Sequence, residues 1–225
     1  MNTGDTAFMM ICAALVFFMT PGLAFFYGGL VRRKNVCNTI MACVAIMGLS
    51  VVMWTLFGYS LSFGGNHAGI IGDFRWFGLN GVGMEAGPYA DSIPHLVFCA
   101  FQMMFAMITP ALITGSLVGR MKFKALFLFV AIWSVIVYYP MAHMVWGDGG
   151  FLAAIGSVDF AGGDVVHISS GISALVLAII LGRRRGYEHT TYRIHNIPSV
   201  VLGASLLWFG WFGFNAGSAL KADGL

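Results

Sequence analysis

Long apolar stretches run along this chain with few charges inside them, separated by short polar connections. Spanning a bilayer takes roughly 20 apolar residues. Six stretches qualify, at about 7–31, 38–63, 93–119, 124–146, 165–182 and 198–220. The pattern predicts an all-α polytopic membrane protein with one transmembrane domain over residues 1–225. Pro21 interrupts the first stretch and predicts a kink. Asn196 and Pro198 supply a cap and first turn for the sixth.

Charge adds an orientation. Arg32, Arg33 and Lys34 follow the first stretch; Arg120, Lys122 and Lys124 follow the third; Arg183, Arg184, Arg185 and Arg193 follow the fifth. Ten of the twelve basic residues thus share one side. The other side holds Arg75, Lys221 and most of the acids: Asp5, Asp73, Glu85, Asp91, Asp148, Asp159, Asp164 and Asp223. The positive-inside rule places the N-terminus outside and the basic loops in the cytoplasm. The connections at about 64–92 and 147–164, rich in Gly, Asn and Asp, then lie outside. The arginine run at 183–185 reads as a topology signal, with anionic lipid as the second reading.

Composition agrees with this class. Hydrophobic residues make up 59% of the 225 and charged residues 9%, whereas soluble domains carry about 25% charged residues. Thirty glycines and fourteen methionines suit close helix packing in lipid. The net charge of +3 includes no basic tract broad enough for nucleic acid. Cys12, Cys37, Cys43 and Cys99 form no CxxC pair and read as packing residues, without a disulfide or metal. The first stretch reads as a retained helix, since no cleavable signal pattern opens the chain.

Candidate chemistry lies inside the apolar stretches. His167, within Val165-Val166-His167-Ile168-Ser169-Ser170, reads as a buried intramembrane histidine, a functional-site candidate. A neutral imidazole both donates and accepts, so it can line a path for a small hydrogen-bonding solute or relay a proton. A bond to a neighbouring helix would explain it equally well. Phe101 and Phe105 are four apart and share a helix face, as packing phenylalanines also do. Trp211, Phe214 and Ser218 recur at i, i+3 and i+7. Trp146 closes the fourth stretch, either as an aromatic-belt anchor or as a cation-binding wall. His95 and His143 suit structural roles near the outer ends; His67, His189 and His195 fall in loops. Gly213 with Gly217, and Gly115 with Gly119, have small-xxx-small spacing. No nucleophile–base pair or metal triad points to an enzyme, no motif calls for a cofactor, and no ring of intramembrane acids suits a hydrated metal cation.

Several longer motifs resemble the ammonium transporter family (Amt/Mep/Rh). Pro21-Gly22-Leu23-Ala24-Phe25-Phe26-Tyr27-Gly28-Gly29-Leu30-Val31-Arg32 is similar to its first helix. Ala142-His143-Met144-Val145-Trp146-Gly147 and Asp159-Phe160-Ala161-Gly162-Gly163-Asp164-Val165-Val166-His167 resemble its fourth- and fifth-helix signatures. Phe214-Asn215-Ala216-Gly217-Ser218 resembles its sixth. The resemblance implies an outer ammonium site of Phe105, Trp146 and Ser218, a phenyl gate of Phe101 and Phe214, and a pore histidine at His167. Asp159 would organise backbone beside the site. The family fold it implies has eleven helices in two inverted five-helix repeats plus a last helix, assembled as a homotrimer in the inner (plasma) membrane. This chain would supply the first repeat and the sixth helix, and the second pore histidine would lie in a later helix. Ammonium or ammonia, methylammonium as an analogue, the lipid bilayer and a cytoplasmic PII-type regulator are the implied partners. The alternative it leaves open is an ammonium sensor coupled to a cytoplasmic signalling domain.

Overall fold

The computed structural model describes residues 1–184, 186–187 and 192–223. Arg185 and His189 therefore lie outside the described residues. Six helices are long and apolar enough to cross a membrane, as a multi-pass membrane protein requires. The first span, Thr3–Leu30, is capped by Asn2, whose side chain accepts from the Gly4 and Asp5 N–H groups. It runs through Pro21 as one helix, because neighbouring helices in a membrane support such a break. The second span comprises Val36–Met53, a π-helical turn at Trp54–Gly58 and Tyr59–Phe63. The third is His95–Leu117. The fourth repeats the pattern of the second: Phe123–Trp133, a π turn at Ser134–Tyr138, then Tyr139–Trp146. The fifth opens with a π turn, Gly163–Ile168, and continues as Ser169–Leu181. The sixth, Ile197–Gly217, is capped by Asn196, which accepts from the Ser199 N–H at 3.0 Å.

Charge separates along the bundle. At one end the Asn2 N–H donates to the Ser92 carbonyl, and the Ala222 N–H donates to the Asp5 carboxylate. Also at this end, Asp73 pairs with Arg75 at 3.0 Å. Hydrogen bonds from Arg75 and Gly65 hold the Asp73 carboxyl below its ordinary range, against the burial that alone would raise it. At the other end Arg32 and Arg184 both lie over the Tyr192 ring, and Arg120 donates to the carbonyls of Ala178 and Gly182.

The first and sixth spans form the tightest seam. A β-carbon on Gly213 would sit 2.7 Å from the Cys12 carbonyl, and one on Gly217 2.8 Å from the Cys12 β-carbon. Glycine is the residue that lets the two backbones approach this closely. The third span lies inside the bundle, packed against the first, second and fifth. Cys12, Cys43 and Cys99 are buried as packing residues, but Cys37 is exposed at the helix start and does not pack.

One element departs from the loop expected at 64–92. Ala86–Gly87 and Ala90–Pro94 pair as an antiparallel ribbon leading straight into the third span. Pro94 favours extended geometry in the residue before it, which moves the helix start to His95.

Candidate functional site

Three helices deliver aromatic side chains to one place near the acidic end. The 3.6-residue repeat of the third span puts Phe101 and Phe105 on one face, with ring centroids 4.9 Å apart. Phe105 touches two further rings: Phe214 of the sixth span at 4.5 Å and Trp146 of the fourth at 5.9 Å. Phe101, Phe105 and Phe214 are almost wholly buried, at 0%, 1% and 2% exposure. Gly217 makes this closeness feasible, since a β-carbon there would lie 2.6 Å from the Phe101 ring.

Above this aromatic cluster is a cavity of about 250 Å³, lined in part by Phe105, Trp146 and Ser218. Phe63, Tyr89, Gln102, Phe160 and Leu220 complete much of its wall. Sequence reasoning passed over these five. Tyr89, Phe160 and Leu220 sit in connections, where no helical period marks a face, and Gln102 was hidden between the two phenylalanines. Ser218 follows the last helical residue, and its hydroxyl donates to the Phe214 carbonyl at 2.9 Å.

Asp159 builds the start of the fifth span. Its carboxylate accepts from the backbone N–H groups of Gly162, Gly163, Asp164 and Val165 at 2.5–3.0 Å. A negative group is favoured there by the helix dipole. Gly162 has φ +116°, and a β-carbon there would also press on Val166. The Asp159 carbonyl in turn accepts the Trp146 indole N–H at 2.9 Å, fixing the indole plane at the chamber wall. Asp159 is thus bonded to backbone and indole.

His167 differs from the sequence expectation of burial. It is exposed on the open side of the fifth span, with its ring stacked on Phe214 at 5.9 Å and on Trp211 at 5.7 Å. The cause is the housing of the helix: Ile168, Ile172 and Ile179 are also exposed on this span, at 54%, 57% and 70%. His143 is fully buried, hydrogen-bonded to the Ser62 carbonyl and to Asn66. The His95 ring nitrogen meets the Tyr59 hydroxyl at 2.5 Å. His95 thus joins the second span to the third, and His143 joins the fourth span to the second and to the loop that follows it.

Comparison with known proteins follows this geometry. An ammonium transporter from Bacillus subtilis is 52% identical over 225 residues, which is 100% of this chain and 55% of that protein. The crystal structure of Saccharomyces cerevisiae Mep2 superposes with a TM-score of 0.85 at 36% identity, over 99% of this chain and 51% of that one. A structure titled Sensor Amt Protein gives 0.86 at 31% identity, over 98% and 56%. The chain spans about half the length of the curated relatives it matches. A family model for the Ammonium Transporter Family matches residues 7–225, and the chain belongs to that family.

Proposed function

We propose that this chain supplies the outer chamber and first pore segment of a protein that moves ammonium or ammonia across a membrane. The observation that carries this reading is the continuous order of groups: chamber, phenyl cluster, then His167 stacked behind Phe214. Phe105, Trp146 and Ser218 gather ammonium from outside. The positive-inside rule sets that side, with the N-terminus external and the basic end in the cytoplasm.

Energetics then dictate what crosses. Moving a bare cation into a low-dielectric interior costs tens of kcal/mol by idealised Born solvation. A cation–π contact returns only about 0.5–2 kcal/mol. The aromatics therefore collect the cation but do not carry it through a dry passage. Ammonium gives its proton to water in the chamber near Phe101 and Phe214, forming hydronium, and ammonia passes along His167, whose imidazole can donate and accept. The assembly is a homotrimer in the plasma membrane, with a PII-type regulator reaching its cytoplasmic face.

Flux into liposomes tests the reading at full length. His167→Ala, still folded and assembled, should reduce ammonium and methylammonium flux to the background of empty liposomes. Unchanged flux would remove His167 from the path. Trp146→Leu should weaken the concentration dependence, and an unchanged curve would make Trp146 a belt residue. The likeness to the Sensor Amt Protein structure favours sensing as the second reading. Ammonium binding without net flux by the parent protein would select it.

A further inference from the structure

Besides the Gln102 amide, three side chains lining the outer chamber carry an N–H or O–H, and each has committed it away from the cavity. The Tyr89 hydroxyl donates to the Phe63 carbonyl at 2.8 Å, the Trp146 indole to the Asp159 carbonyl at 2.9 Å, and the Ser218 hydroxyl to the Phe214 carbonyl at 2.9 Å. Burial also pushes the Tyr89 phenol above its ordinary range, which keeps that proton in place. Apart from the Gln102 amide, what remains for an occupant is aromatic surface and oxygen lone pairs. Such a chamber suits a ligand that only donates.

Gln102 carries the same logic further. It lies three residues before Phe105 on the third span, lines the same chamber and is 9% exposed. Its side-chain oxygen is buried and accepts no hydrogen bond among the described residues. Leaving a buried acceptor unpaired costs about 1–3 kcal/mol, so native proteins seldom do so without a use. The terminal torsion of a glutamine is broad and roughly two-fold, so rotation of the amide can exchange its oxygen and NH2 and present the oxygen to the chamber.

We propose that the Gln102 side-chain carbonyl accepts a hydrogen bond from the cation in the outer chamber and makes that chamber prefer cations rich in N–H groups. This rests on the chamber being the ammonium site. Aromatic faces alone do not supply the preference, because they also hold fully alkylated ammonium ions. Each methyl group on nitrogen removes one donor, so every added acceptor widens the gap between ammonium and its alkylated analogues.

The test measures initial flux against concentration for ammonium and methylammonium in liposomes holding the full-length protein. The parent is compared with Gln102→Met, Gln102→Glu and Trp146→Leu. Gln102→Met keeps the length and removes the acceptor; it should raise half-saturation for ammonium about tenfold, the size of one charge-assisted hydrogen bond. Its maximal rate should hold, and its preference for ammonium over methylammonium should fall. Gln102→Glu retains an acceptor and should restore both. If Gln102→Met leaves half-saturation and preference unchanged, or lowers only the maximal rate, while Trp146→Leu weakens binding, Gln102 is a wall residue and the proposal fails alone. If Trp146→Leu and Gln102→Met both leave the curves unchanged, the chamber is not the ammonium site and both readings fall. Should Gln102→Met not fold, Gln102→Leu is judged by the same outcomes.

Discussion

The third and fifth spans read almost alike as apolar segments, yet 67% of the third span's apolar window is buried against 22% of the fifth's. The third is held along its whole length, between the first, second and fifth. The fifth is held largely at its ends and along one serine edge. Asp159 clasps its start, Arg120 reaches the carbonyls of Ala178 and Gly182 at its finish, and the Ser173 hydroxyl oxygen takes the Trp133 indole N–H. Its other side exposes Ile168, Ile172, Leu175 and Ile179. Hydropathy reports only that a segment avoids water, because lipid and protein interior are equally apolar. Small and polar residues report which side has a protein neighbour.

Substitutions can break that contrast, beginning with the strongest. Gly213→Leu in the first–sixth seam would drive side-chain atoms into the Cys12 carbonyl, a backbone group that does not yield cheaply. A loss of about 3 kcal/mol or more is expected, seen as failure to elute as one species in gel filtration. Gly171→Leu on the fifth span meets nothing within 4 Å and should leave elution unchanged. Equal damage from both would show a close protein neighbour over the fifth span's open side at the level of Gly171.

Removal of the upper clasp comes second. Asp159→Ala leaves four N–H groups to water and should cost about 2 kcal/mol, read as a lower thermal midpoint in detergent. No change in midpoint would show that the fifth span does not depend on this end. Weakest is Trp133→Phe, which deletes the 2.8 Å bond to Ser173. Polar bonds between membrane helices average about 0.6 kcal/mol, so a small midpoint shift is expected. A shift as large as that of Asp159→Ala would place the fifth span's anchorage along its length instead.

The six spans were legible because the bilayer forces each into a long apolar run. Phe101 and Phe105 were legible as neighbours because helical period fixes i and i+4 on one face. The exposure of His167 was not, since burial belongs to the surroundings and not to the residue. The ribbon at Ala86–Gly87 and Ala90–Pro94 is too short and too rich in glycine and proline for alternation to show. Gln102 carried a signal that was passed over: a lone amide in an apolar run needs a partner, and its oxygen has none among the described residues.

The π turns of the second and fourth spans also shape how these helices accommodate a change of length. Each turn holds one residue more than an α-helical turn would. Loss of one residue there restores ordinary winding and leaves the segment beyond it facing much as before, whereas the same loss from an α-helical stretch turns that segment by roughly 100° about the helix axis. Tyr59 stands beyond one such turn, and His143 and Trp146 beyond the other. The aim of the chamber wall is thus cushioned by slack in the winding: a one-residue deletion at Trp54–Gly58 or Ser134–Tyr138 would be absorbed there, while the same deletion in Val36–Met53 or Phe123–Trp133 would re-aim everything beyond it.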